Sequence, residues 1–178
     1  MLSDKDCGKK NIIFMVCLVT GLMIIIGIGL SKLIQDHMNK AKSPNYYIEV
    51  NSGSVEHRVF VEIADTPEKR ANGLMNVHDL ASDNGMLFIF PDNSNNPFWM
   101  KDCYIALDII FIDQEGTITY IANSVKPCTD EPCELITSPK PFLYVLEVNA
   151  GWANQNGVNT GDKITFDPLP KQLLKPIH

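Results

Sequence analysis

The chain has 178 residues, 45% hydrophobic and 20% charged, with a formal net charge of −6. Residues 1–42 hold six Lys and three Asp, whereas residues 43–178 hold nine Lys and Arg against eighteen Asp and Glu. So acidic a C-terminal portion is a poor partner for nucleic acid or anionic lipid, and it is long enough for one domain with its own core.

After an N-terminal tail, 1–11, the segment 12–30 (IIFMVCLVTGLMIIIGIGL) is apolar and carries no charge. As a helix it reaches roughly 28 Å, close to the hydrocarbon thickness of a bilayer. Lys9 and Lys10 precede it and Lys32 follows, as at the two headgroup layers. The alternative is a cleaved signal peptide, but the run is longer than the usual apolar core of about 7–15 residues, and near its end only Gly27 and Gly29 are small. A retained single-pass anchor is therefore expected. Lysines on the two sides balance (Lys5, Lys9, Lys10 against Lys32, Lys40, Lys42), so they leave the orientation open. The pair Cys128 and Cys133, flanking Thr-Asp-Glu-Pro, suits a local disulfide in an oxidising compartment and favours an extracytoplasmic head.

Segment 31–45 is polar and mixed in charge and reads as a linker. Beyond it, short β-branched and aromatic runs alternate with Gly, Pro, Asn and Asp, which predicts a mostly β domain over 46–170, with 171–178 as a C-terminal tail. Expected strands are Tyr46 to Val50, His57 to Ala64, Met86 to Phe90, Pro97 to Lys101, Ile105 to Asp113, Thr117 to Asn123, Leu143 to Asn149 and Lys163 to Phe166. Between the fifth and sixth, Asp113-Gln-Glu-Gly116 predicts a hairpin whose glycine takes a positive φ. Thr66, Pro67 and Glu68 are a cap, a first-turn proline and a first-turn acid in the right order, and Gly73 marks the end of that short helix. A second short helix is expected over Ala150 to Asn156.

The blocks VEIADTPEKRANGLM, NGMLFIF, FWMKDCYIALDIIFID, YVLEVNAGW and GDKITF, in this order, resemble the domain-of-unknown-function 192 family. The resemblance spans residues 55–167 and implies a small β-rich prokaryotic domain, often exported or membrane-anchored; it leaves the activity open. Asp102, Cys103 and Ala106 stand where the family more often has Asn, Thr and Pro, whereas the apolar frame of Phe98, Trp99, Met100, Leu107, Ile109, Ile110 and Phe111 is intact.

Asp108 interrupts an apolar strand, so its carboxylate must either face open solvent or be buried and paired. Arg70 is the expected partner, in a structural ion pair that pins helix to sheet. The functional alternative is a ligand-binding carboxylate with Arg70 and Lys101 beside it. Alternation puts Val145 and Glu147 on one face of their strand, and Glu147 is expected to face solvent. Trp99 borders an Asn-rich loop; stacking on a sugar or peptide is one reading, a place in the core the other, and core is expected for it and for Trp152. Ligand-binding candidates are thus Arg70, Trp99, Lys101, Asp108 and Glu147.

Met75, Met86 and Met100 each adjoin bulky apolar residues and read as gap fillers; no metal site and no cofactor is expected. Four residues separate Cys128 from Cys133, unlike the two of a thioredoxin-type pair, so a structural disulfide is expected, with Cys103 left as a buried free thiol. Phosphate-loop, dinucleotide, nucleophile-elbow and His-Glu zinc motifs are absent from the sequence.

The expected fold is mainly β (α+β): a compact, partly closed β-barrel-like sheet with one or two short helices, preceded by an N-terminal transmembrane helix. The expected function is that of a non-catalytic binding or accessory module of the cell envelope, held on the extracytoplasmic side of the inner membrane through residues 12–30. It would act on an envelope ligand or protein and not on nucleic acid. The alternative is an envelope hydrolase or other enzyme using Asp108 with Arg70, Lys101 or Glu147.

Overall fold

The computed structural model describes residues 46–166 and 169–174. The expected membrane span at 12–30 and the linker at 31–45 lie outside the described residues. No helix among the described residues is long and apolar enough to cross a membrane.

Seven strands form one sheet: β1 Tyr46–Ser52, β2 Val55–Ala64, β3 Asn84–Ser94, β4 Leu107–Ile112, β5 Ile118–Val125, β6 Phe142–Asn149 and β7 Lys163–Thr165. Their spatial order is β5-β4-β6-β3-β2-β1-β7. All neighbours are antiparallel except β2 and β3, which run parallel. Between those two lies α1, Pro67–Asn72. The Thr66 side chain accepts from the Lys69 amide, Pro67 opens the first turn, and Gly73 closes the helix at φ 47°. A second helix, α2 Trp152–Gln155, follows β6.

The sheet curls until its two margins meet at one end. Thr117, just before β5, bridges Lys163 on β7, with hydrogen bonds from Ile118 N to Asp162 O (2.9 Å) and from Ile164 N to Gly116 O (2.8 Å). Gly116 serves two needs there. It turns the β4–β5 hairpin at φ 76°, and a Cβ on it would stand 2.6 Å from the Ile164 carbonyl oxygen. Only a residue without a side chain lets the margins close.

Register and alternation assign the faces. Ile48, Val50, Val59, Val61, Leu87, Ile110, Leu146 and Val148 line the concave side, all with no accessible surface. Met86, Phe88 and Phe90 of β3 share the convex side with Val145 and Glu147 of β6 and with Ile109 and Phe111 of β4. On β1 and β2 this convex side is largely open, but over β3, β6 and β4 it is covered by α1 and by segment 95–106. Burial on both faces explains why β4 and β6 read as continuous apolar runs.

Segment Pro97 to Lys101 is not a strand of this sheet. It is extended chain with two isolated bridges, Phe98 to Ile136 and Lys101 to Cys128. Its side chains still alternate. Phe98 enters an aromatic cluster, with ring centroids 5.2 Å from Phe88, 5.6 Å from Phe111 and 6.1 Å from Phe142, and Met100 is buried. Cys128 and Cys133 form a disulfide, and Cys103 is free and buried.

Candidate functional site

A pocket of about 320 Å³ opens on the convex side between α1 and segment 95–106. Its walls bring together four of the five expected site residues, Arg70, Trp99, Lys101 and Glu147; Asp108 is elsewhere. Phe88, Phe90 and Phe98 supply apolar lining, and Cys103 stands beside Glu147.

Asp108 faces the concave side and has no accessible surface. Its Oδ1 accepts from the amides of Ser124 (2.7 Å) and Gly151 (3.0 Å), and its Oδ2 from that of Ala153 (2.9 Å). The expected ion pair with Arg70 is therefore not made. The two residues lie on opposite sides of the sheet, and backbone amides of β5 and of the turn into α2 satisfy the carboxylate instead. Asp108, fully buried on the other side of the sheet, does not line the pocket.

Arg70 does pin helix to sheet, but through carbonyls. Its Nη1 donates to Asp65 O and to Ile89 O, both at 2.8 Å, and its guanidinium carbon sits 5.1 Å from the centre of the Phe90 ring. Among the described residues, Nε and Nη2 have no acceptor.

Glu147 departs from expectation. Its strand alternates as foreseen, but its face is roofed by α1 and segment 95–106, so the residue is 5% exposed rather than solvent-facing. Its nearest cross-strand neighbours are Met86 and Ile109, neither of which can pair with a carboxylate. No side chain or amide among the described residues hydrogen-bonds the carboxyl, and burial pushes its pKa up from 4.5 to about 8. Cys103 is pushed up to about 11, by burial first and then by the charges of Glu147 and Asp102, which keeps the thiol protonated and unreactive.

Trp99 is not in the core: it is 50% exposed, at the pocket rim. The reason is the alternation that sends Phe98 and Met100 inward and leaves Trp99 and Lys101 outward. Trp152 is buried, as expected. Lys101 reaches Glu131, inside the disulfide loop, at 2.7 Å; that contact raises the lysine pKa and lowers the glutamate's. The rim of the pocket is thereby tied to the loop closed by Cys128 and Cys133. The residues missed in the sequence were Phe88, Phe90 and Cys103. For Phe88 and Phe90 the signal was the β3 alternation in register with Glu147; Cys103, in segment 95–106, had no comparable local signal.

Met86 and Met100 are buried and Met75 is half-buried beside the pocket. Among the described residues no group of three or more His, Cys, Asp or Glu is placed to hold a metal ion.

Fold and pocket together define a small curled-sheet domain with a ligand-sized cleft on its convex side. The chain belongs to the DUF192 family, described as "uncharacterized ACR", whose profile matches residues 47–166. Two solved structures are similar. One is a protein of Sinorhizobium meliloti 1021 described provisionally as a transcription regulator, 37% identical over 70% of this chain and 95% of that one, with a TM-score of 0.65. The other is a protein of unknown function from Novosphingobium aromaticivorans DSM 12444, 32% identical over 66% of this chain and 82% of that one, with a TM-score of 0.62. Comparison with curated proteins gives no match.

Proposed function

We propose that this protein is a non-catalytic binding module of the cell envelope, anchored by residues 12–30 with its β domain outside the cytoplasm, and that the pocket under Trp99 is its ligand site. One observation carries the binding reading: Glu147 is 5% exposed in the pocket wall, and among the described residues nothing hydrogen-bonds its carboxyl, whose access is to the pocket itself. A carboxyl that opens only onto a pocket takes its hydrogen bonds from whatever occupies that pocket. The half-exposed Trp99 at the mouth offers an aromatic face to that occupant.

The anchor and the outward orientation rest on the uncharged apolar run and on the Cys128–Cys133 disulfide. An enzyme using Asp108 finds no support, because both of its carboxylate oxygens are taken by backbone amides on the far side of the sheet. The regulator description of the Sinorhizobium protein does not suit this head as a DNA binder, since acidic residues outnumber basic ones two to one.

Thermal-shift screening of the full chain in mild detergent against a panel of small envelope metabolites tests the site. A true ligand raises the melting temperature of the wild type and fails to do so in Trp99→Ala and Glu147→Gln. A ligand whose effect survives both substitutions binds elsewhere and overturns the pocket assignment. Protease added to spheroplasts should digest the head. Its protection alongside a cytoplasmic control would reverse the orientation.

A further inference from the structure

We infer that the pocket binds a small zwitterion, its ammonium group held by the Glu147 carboxylate at one end and its acidic group by the Arg70 guanidinium at the other. This rests on the pocket being the ligand site, and it adds the chemistry of the ligand.

Glu147 sets the first half. Its carboxyl lies in the pocket wall, and the protein gives it neither an ion pair nor a hydrogen bond among the described residues. An ammonium N–H is the complement that satisfies a carboxylate with both charge and hydrogen bonds. The aromatic walls suit the same guest: Phe88 and Phe98 meet edge-on at 5.2 Å within the pocket lining, and ring faces attract a cation. The acidic head as a whole favours approach of a positive group.

Arg70 sets the second half. One of its terminal nitrogens is spent on two carbonyls, while Nε and Nη2 keep donors to offer, and a guanidinium grips a carboxylate or similar acid with paired N–H bonds. The two residues line the pocket at different points along β3. Glu147 stands opposite Met86, whereas Arg70 is fixed at Ile89 and Phe90, three to four residues along the same strand. At the rise of a β-strand this is about 10–13 Å, shortened by the reach of both side chains, so several bonds separate the charged ends of the ligand. A volume of about 320 Å³ is at the small end of ligand pockets.

The charged and titratable groups around Glu147 are few. From α1 comes Arg70, and from segment 95–106 come Lys101, Asp102 and Cys103, with Lys101 already engaged by Glu131. On the sheet, Met86 and Ile109 flank it without charge, and Glu62 lies one strand further, beside Met86, exposed. Because burial holds the proton on Glu147 up to about pH 8, an arriving ammonium must drive it off. Binding of the zwitterion therefore releases a proton near neutral pH and tightens as the pH rises.

Isothermal titration of the full chain in mild detergent with 6-aminohexanoate tests this, against hexylamine, hexanoate and glucose. The expected result is that 6-aminohexanoate binds at least about tenfold more tightly than either single-charge analogue. Its affinity should rise about tenfold from about pH 7 to about pH 9, following the ionised fraction of Glu147. Glu147→Gln should remove that pH dependence and reduce 6-aminohexanoate to the level of hexanoate. Affinity that is flat with pH, or unchanged in Glu147→Gln, overturns the inference. Binding of glucose that is lost in Trp99→Ala also overturns the zwitterion while leaving the pocket as the site. If no probe binds at millimolar concentration, the zwitterion inference fails and the pocket is judged separately by the panel screen.

Discussion

Met86 on β3 stands directly across from Glu147 on β6, so a thioether faces a carboxyl that no donor among the described residues reaches. This places the charge of Glu147 at odds with the fold. Its folded pKa of about 8 is above the ordinary 4.5, so the proton is held more tightly in the native state. The resulting stabilisation is complete below about pH 4.5 and is lost as the pH rises to about 8, at about 1.4 kcal/mol per pH unit. Urea unfolding of wild type and Glu147→Gln across this window should show the variant gaining on the wild type between about pH 4.5 and about pH 8, with the difference constant above it. Parallel pH profiles for the two proteins would refute the assignment.

Asp108→Asn keeps the shape of the side chain but puts an NH2 where Oδ2 or Oδ1 now accepts an amide. At least one buried N–H loses its acceptor, and the charge-assisted character of the others goes with it. The expected loss is about 2–4 kcal/mol, read as a lower melting temperature. Arg70→Lys and Asp108→Asn should change stability additively, because the two residues do not touch and share no partner. A double-mutant cycle with coupling above about 0.5 kcal/mol would show otherwise.

Adjacent aromatic residues should respond in opposite ways. Phe98→Ala removes the ring at the centre of the Phe88, Phe90, Phe111 and Phe142 cluster and should cost about 3–5 kcal/mol. Trp99→Ala, one residue on and half exposed, should cost less than about 1 kcal/mol while abolishing ligand-induced stabilisation. Chemical denaturation of both variants decides this.

Native protein treated with an alkylating reagent should stay unlabelled at Cys103, which becomes labelled on unfolding, and non-reduced peptide mapping should join Cys128 to Cys133. Opening that short loop by replacing both cysteines with serine should cost about 2 kcal/mol in the chain-entropy account. Labelling of Cys103 in the native state would mean that the pocket wall opens.

Strands, turns and caps were legible because their signals are local. The Gly116 hairpin, the Thr66 cap and the alternation in β1 and β2 each occupy a few consecutive residues. The environment of Glu147 was not legible. Alternation fixes which face a residue takes, but the roof over that face comes from α1 and segment 95–106, far away in sequence. Asp108 shows the same limit: its acceptor role depends on amides 16, 43 and 45 residues away, so a buried carboxylate was recognisable and its partners were not. Trp99 was different, since the inward pair Phe98 and Met100 already implied an outward Trp99.

An open sheet normally exposes two rows of unpaired N–H and C=O groups, each a template on which another copy can add a strand. Here the outermost strand on one side, β7, is three residues long, and the Thr117–Lys163 bridge stitches it to the start of the outermost strand on the other side. The groups that remain to recruit a neighbour are correspondingly few. Replacing Gly116 would force the seam apart, and its first visible effect would be self-association of folded chains through the freed margins.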